Sequence, residues 1–513
     1  MAGVALPLCT RRLGLALGLT LGPLAAQTPD ANTTKPAYLL AGPPALLRAA
    51  EPLCERRAQQ GLQVVRVALG DDATDATLAD RIRAVMARHG TGYLLLLGPH
   101  AATPARQRPG LAATAAAGER YAHCATQIRS DLGYVDLDDD GRAEWAHGRL
   151  PLATAADIGA LVQKILSAED ADAGAWQREL ALLSTDGGLP TAVEHLAERA
   201  LRRVLDADIH PALTVRPRLG LRTSPFYIEP SAFRGALWEA LRRGPLVTLF
   251  VGHGWPDRLA PMQGHPVLGP EDFRTLEGAD RSVMLLLACR LADCLAADSF
   301  TAGLVAAPGG PCAVVGATAA THRLSDALLA HHLLRRLRPT TTMPRLGDLV
   351  RLAKRALLAD DDDALSQQVI GLARTLGLDA DRALRRYTAD VYHLLGDPAM
   401  PLCLPRPLEV AVRRPAGKPA PLDVSVAALP PDGPRPAALQ IALGARPGHA
   451  TPPGLDTDVT AVDWSSDGPL HVEIATSAAD RDRPVVRAFG YNAHDAWAGG
   501  AVLPAAARHP SQR

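Results

Sequence analysis

Leu246-Val247-Thr248-Leu249-Phe250-Val251 runs directly into Gly252-His253-Gly254, and Val283-Met284-Leu285-Leu286-Leu287-Ala288 runs directly into Cys289. A short apolar run bounded by glycine, rich in β-branched and aromatic residues, reads as a buried strand. Neither run alternates with polar residues, so both faces of each strand are covered, as in a parallel sheet beneath helices. In such sheets ligands bind beyond the carboxyl ends of the strands. His253 and Cys289 stand at two such ends. If the strands are neighbours, a thiol and an imidazole emerge on one edge.

The same alternation extends outward. Tyr38–Ala41, Leu62–Leu69 and Tyr93–Leu97 read as strands, and 44–60 and 75–89 have helical apolar spacing. Residues 106–141 read as irregular and polar. A short strand is expected at Glu144–Ala146, then a helix at 155–169, a strand at Leu180–Leu183 and a helix over 190–205. Ala313–Val315 and Val391–Leu395 are further strands, with helices between them to about residue 386. Strands alternating with helices give an α/β fold. Beyond Pro405 the composition turns to Pro, Gly, Val and Thr in short alternating runs, which predicts a small all-β sandwich. The expected organisation is a first α/β subdomain over 27–172, a second over 173–405 carrying the Cys/His pair, a β-sandwich over 406–506 and a disordered tail at 507–513.

The chemistry of the pair is nucleophilic. A free thiol has a pKa of about 8.5, and a neighbouring imidazole raises its thiolate fraction near neutral pH. The thiolate attacks a peptide carbonyl, and His253 protonates the leaving amine. The oxyanion needs preorganised N–H donors. The amides of Gly254, which has no side chain to block the approach, and of Cys289 are the candidates.

Lys plus Arg and Asp plus Glu number 54 each, so no basic footprint for nucleic acid is present. The expected partners are protein or peptide substrates, and the chain is expected to act as a monomer. Arg11-Arg12, an apolar run from Leu13 to Leu24 and Ala25-Ala26 before Gln27 have the layout of a signal peptide cleaved after Ala26. No later stretch approaches about 18 apolar residues, so export to the medium or the cell surface is expected. Cys54, Cys124, Cys289, Cys294, Cys312 and Cys403 remain after cleavage, too few and too irregular for a zinc site or a disulfide framework. Cys294 and Cys312 read as core thiols or a disulfide.

These residues resemble the gingipain-type cysteine peptidases, of the same broad clan as caspases. Leu249-Phe250-Val251-Gly252-His253-Gly254 is similar to that family's histidine strand and turn, and Leu286-Leu287-Ala288-Cys289 to its nucleophile strand. Ser299-Phe300, Ala313–Thr318, Gly396-Asp397-Pro398 and Ser130-Asp131 through Gly148-Arg149-Leu150-Pro151 extend the resemblance from about Tyr93 to Pro405. It implies a caspase-like α/β/α sandwich in two subdomains, an immunoglobulin-like C-terminal sandwich, and endopeptidase activity through a thioester acyl-enzyme. It implies that Glu144, four positions before the Gly-Arg pair, orients His253. Trp255 after the Gly-His-Gly turn and Arg290 after the nucleophile depart from the best-known members and leave the substrate preference open. Those members select Arg or Lys, for which Asp157 and Asp293 are the conceivable acidic partners, with His322 near the pocket wall.

Asp136-Leu137-Asp138-Asp139-Asp140-Gly141 has the spacing of a calcium loop, with Asp136, Asp138 and Asp140 as ligands and His147 where such loops carry a bidentate Glu. A structural calcium is therefore an expectation; none is required for the thiol chemistry. Two further readings follow from the same residues. One is a processing transpeptidase of the same fold, passing the acyl group to an amine. The other is an inactive binding or adhesion module, against which the intact His253, Cys289 and Glu144 argue.

Overall fold

The computed structural model describes residues 35–503 apart from 71–72, 114–120, 122, 187–190, 294–298, 360–365, 368–369, 372–373, 375–381, 414–420, 428, 430–432, 437, 445–457, 464–468 and 475–484. The leader, the tail and Cys294 lie outside the described residues.

Among the described residues, twelve strands precede the C-terminal region. They are β1 (Ala37–Gly42), β2 (Gln63–Ala68), β3 (Gly92–Leu97), β4 (Arg106–Pro109), β5 (Gln127–Ser130), β6 (Ala146–Leu150), β7 (Glu179–Ser184), β8 (Thr214–Leu219), β9 (Val247–Val251), β10 (Val283–Leu287), β11 (Ala313–Ala317) and β12 (Tyr392–Leu395). Ten of them form one sheet in the order β2-β1-β3-β6-β12-β11-β10-β9-β7-β8, and β4 pairs with β5 apart from it. β1, β2, β3 and β6 run parallel, as do β7 to β11. β12 joins the halves, antiparallel to β11 and parallel to β6.

Both faces of the sheet are covered, as the unbroken apolar runs required. Tyr38, Leu40, Leu95 and Leu97 belong to one buried cluster; Leu39, Ala41, Leu94 and Leu96 belong to another. Successive strand residues thus feed opposite cores. Helices at Asp75–His89, Ala155–Glu169, Pro230–Arg243, Arg323–Leu334 and Leu346–Leu357 supply the covering side chains.

Three local readings change. Residues 44–60 form two helices, Pro44–Ala49 and Glu51–Gln59, because Pro52 at the start of the second cannot continue the first. The strand expected at Glu144–Ala146 begins at Ala146 and leaves Glu144 outside it. The segment 106–141 contains β4 and β5, whose polar sequences, RQRP and QIRS, carry no apolar run to reveal them.

Buried ion pairs explain two of the motifs. Asp397 of the Gly-Asp-Pro turn is wholly buried, takes Arg57 Nε at 2.8 Å and the Tyr38 hydroxyl at 3.0 Å, and caps the amide of Ala399 at 2.9 Å. It ties β1 and the helix Glu51–Gln59 to the end of β12. Arg149 of the Gly-Arg pair is equally buried, doubly bonded to Asp131 and donating to the carbonyls of Gly98 and Thr103. Such pairs fix geometry, and losing one member leaves an uncompensated charge.

Beyond Pro405, β13 (Arg406–Pro407), β14 (Val410–Arg413), β15 (Leu422–Val426), β16 (Ala438–Gly444), β17 (Asp458–Asp463), β18 (Leu470–Ile474), β19 (Val485–Tyr491) and β20 (Ala496–Val502) make two sheets, β13-β20-β19-β16-β17 and β14-β15-β18. Leu422, Val424 and Val426 of one sheet share a core with Leu439, Ile441, Val486 and Trp497 of the other. The all-β expectation holds. Arg487 Nε donates to the carbonyl of Leu213 at 3.3 Å, and the Arg178 guanidinium lies 4.6 Å from the Phe489 ring centre, so β19 rests on the α/β unit. Among the described residues, no helix is long and apolar enough to cross a membrane.

Candidate active site

β7, β9 and β10 are adjacent and level, Ser184 facing Val251 and Val251 facing Leu287. Two residues beyond those strand ends stand Asp186, His253 and Cys289. Strand spacing is ~4.8 Å, so an acid, an imidazole and a thiol follow one another across the sheet edge. The extension stays in step: the amide of Thr185 donates to the carbonyl of Val251 at 3.1 Å, and that of Gly252 to Leu287 at 3.2 Å. A Cβ on Gly254 would lie 2.5 Å from the carbonyl oxygen of Cys289. Only glycine permits that approach. Among the described residues, the amides of Gly254 and Cys289 have no protein acceptor, which leaves both free to receive an oxyanion.

Of the described free cysteines, Cys289 alone is partly exposed; Cys54, Cys124, Cys312 and Cys403 are buried. Burial pushes the thiols of Cys54, Cys124 and Cys403 up to about 11 and that of Cys312 to about 12, which keeps them protonated and inert. Cys312 is a core thiol, its sulfur 3.3 Å from the carbonyl of Ser282.

The sulfur of Cys289 accepts the amide of Thr321 at 3.3 Å and lies 3.6 Å from the Thr321 hydroxyl. That contact ties the sulfur to the backbone after β11. Thr321 is in turn held from behind. Its hydroxyl donates to Asp326 at 2.7 Å, and Tyr392 donates to the other oxygen of Asp326 at 2.9 Å. Burial raises the Asp326 carboxyl to about 7, against the lowering effect of both hydrogen bonds. Sequence reasoning missed this set. Thr321 follows β11 by four residues and was open to the strand-end argument; Asp326, inside the helix Arg323–Leu334, gave no such signal.

His253 is exposed at the edge. Partial burial and the nearby Arg323 charge lower its pKa, and Asp186 opposes them. Arg323 Nη2 lies 2.9 Å from Nε2, so that nitrogen accepts and the ring proton sits on Nδ1.

Glu144 does not reach His253. It precedes β6, four strands from β9 in the sheet order, roughly 19 Å at ~4.8 Å per strand. Its carboxylate accepts the amide of Leu137 at 2.8 Å, and burial followed by the charges of Asp138, Asp136 and Asp140 raises its pKa. The carboxylate beside His253 is that of Asp186, which Gln263 also holds at 2.9 Å. The signal was present in the sequence: Asp186 follows the Leu180–Leu183 run as His253 follows its own.

Glu144 instead completes the acidic loop. Ligand oxygens of Asp136, Asp138 and Glu144 lie within 4.8 Å of one another. Asp140, expected as the third ligand, turns away to the amide of Arg142 at 2.7 Å. Asp136 is buried; its Oδ2 takes the amide of Gly141 and Arg108 Nη1, each at 3.1 Å, while Oδ1 has no partner. Gly141, at φ 89°, makes the turn. His147, at the twelfth position, lies buried on β6, and burial lowers it to about 3.

Comparison with known proteins identifies the family. The model of peptidase family C25 matches residues 31–403. The chain belongs to that family. It is a cysteine peptidase by that membership. Among curated proteins nothing matches. Among solved structures, the Arg-specific cysteine proteinase gingipain R aligns over 93% of this chain and 100% of its own, with 14% identity and a TM-score of 0.53. The complex of pro- and mature domains of RgpB from Porphyromonas gingivalis aligns over 91% and 100%, with 15% identity and a TM-score of 0.51. A structure described only as a protease aligns over 91% and 97%, with 12% identity and a TM-score of 0.56. These likenesses establish a gingipain-like fold.

Proposed function

We propose that this C25 peptidase is an exported endopeptidase whose Cys289 forms a thioester acyl-enzyme. His253 acts as acid and base, and Asp186 orients it. One observation carries the reading: the only partly exposed thiol among the described free cysteines stands level with an imidazole and a carboxylate at three adjacent strand ends. The carboxylate stabilises the imidazolium as His253 takes a proton. The amides of Gly254 and Cys289 receive the oxyanion. The amide of Thr321 steadies the thiolate before attack and after release.

Export rests on the leader pattern of residues 1–26. N-terminal sequencing of protein recovered from the medium tests it, with Gln27 as the expected first residue. Asp136, Asp138 and Glu144 suit a hard cation such as calcium: three carboxylates converge and one buried oxygen lacks a donor. Calcium there would brace the approach to β6. The paired sheets beyond Pro405, with their shared core, support an immunoglobulin-like module.

A specific contact favours the non-enzymatic reading. Arg323 occupies the Nε2 lone pair of His253, which a general base needs. Alkylation of the mature protein by iodoacetamide across pH separates the two. As a peptidase, Cys289 is modified before Cys312 and Cys403, and His253→Ala removes the preference. Equal rates at all cysteines would leave a binding module. Products formed with and without an added amine then distinguish hydrolysis from transpeptidation.

A further inference from the structure

A cavity of about 310 Å³ opens beside the nucleophile. Arg290, the residue after Cys289, lines it, as do Thr318, Ala319 and Ala320, which lead into Thr321. The amide of Arg290 donates to the carbonyl of Ala319 at 3.0 Å, so the two walls are joined next to the reactive sulfur. Arg290 adopts φ 61°, a left-handed conformation uncommon for a side-chain-bearing residue and concentrated at functional sites.

The lining is basic. Arg129 and Arg290 are exposed cations within it, and His100 and His123 add imidazoles. Asp293 is the one carboxylate among the lining residues. His100 is 4% exposed, and neither of its ring nitrogens has a hydrogen-bond partner. A buried imidazole keeps one N–H donor that needs an acceptor. A carboxylate entering the cavity supplies that acceptor and two oxygens for the guanidinium groups. The acidic side chains considered for a basic-residue pocket do not provide one. Asp157 is spent at a helix start, accepting the Thr154 hydroxyl at 2.6 Å, and Asp293 shares its cavity with two arginines.

We propose that this cavity is a substrate subsite for an acidic side chain, Asp or Glu, close to the cleaved bond. The proposal rests on the peptidase reading and names its substrate class. Arg129 and Arg290 attract the carboxylate, and His100 anchors it. The charge preference is thus opposite to the one that gingipain R carries in its name.

The test uses the mature chain and two alkylating agents of similar size, neutral iodoacetamide and anionic iodoacetate. The rate ratio at Cys289, iodoacetate over iodoacetamide, reports the local charge without requiring turnover. The R129E/R290E variant should lower it about fivefold, and salt should lower the wild-type ratio towards the variant's. Both positions are exposed, so the variant keeps its fold, checked by an unchanged Tm. A mixed peptide library, with cleavage sites read by mass spectrometry, should show Asp or Glu enriched at one position beside the cut, and the variant should lose that enrichment. Fast alkylation with no charge discrimination, or a library cut after Arg or Lys, overturns this proposal and leaves the peptidase standing. Slow reaction of Cys289 with both reagents overturns both.

Discussion

Replacing Asp326 by Asn tests the support behind Thr321 and Cys289. The wild-type carboxyl is buried, and burial lifts it from an ordinary 3.8 to about 7. At 1.36 kcal/mol per pH unit, that difference is worth roughly 4 kcal/mol. The sign follows from proton binding. Between about pH 4 and 7 the folded chain keeps a proton on Asp326 that the unfolded chain has lost. Stability from this group is therefore full below pH 4 and falls as pH rises to 7. Asn keeps the shape and an acceptor for Tyr392 but does not titrate. Urea unfolding of wild type and D326N, followed by Trp fluorescence from pH 4 to 8, should give a stability difference that moves in favour of the variant by about 4 kcal/mol across that range. A difference constant within about 1 kcal/mol would refute the reasoning.

Three further outcomes are expected. Asp186→Asn should lower kcat/KM about tenfold or more and move the acid limb of the pH–rate profile down, because Asp186 raises the His253 pKa, whereas Glu144→Gln should leave both unchanged. Calcium at 100 times its Kd should stabilise the protein by about 2.7 kcal/mol, seen as a rise in Tm that chelator reverses and that D136N and E144Q abolish. Arg57→Met should cost about 3–5 kcal/mol in chemical denaturation, since it leaves Asp397 buried beside Glu169 without its cation.

The strands that carry His253 and Cys289 at their ends were legible because burial on both faces writes itself as an unbroken apolar run. β9 and β10 came out within a residue of their bounds for that reason. β8 did not, because Arg216 and Arg218 interrupt it at the edge of the sheet, where one side needs no apolar cover. Cys289 and His253 were legible from their place at strand ends. Glu144 was assigned on resemblance, by counting back from Gly148-Arg149. Counting along one strand cannot say which strand lies beside which, and the sheet order sets β6 far from β9. The acidic loop differs from its spacing in a smaller way. Spacing names Asp140, but the turn at Gly141 spends that carboxylate on the next peptide and brings Glu144 round in its place. Thr321 and Asp326 act through contacts between β11, β12 and a helix, which a linear reading does not join.

The row of Asp186, His253 and Cys289 shows what the sheet contributes to the chemistry. Each residue follows its strand end by the same two positions, and the strands are level, so the three stand past adjacent strand ends on one edge of the sheet. Side chains alternate between faces with a period of two. A one-residue slip of β9 against β10 would therefore turn His253 to the opposite face and carry Gly254 away from the Cys289 carbonyl. The apolar registers Leu249 with Leu285 and Phe250 with Leu286 forbid that slip, because it would exchange the buried faces of β9 with each other and break the fit of Phe250 against Phe233, whose ring centres lie 6.4 Å apart. The core residues of β9 and β10 thus set which strand ends carry the imidazole and the thiol. Substitutions there, such as Phe250→Ala, should lower the alkylation preference of Cys289 as well as the stability. A variant that lost about 3–5 kcal/mol while keeping the full preference would show that the loops after the strands, and not the strand register, set the site.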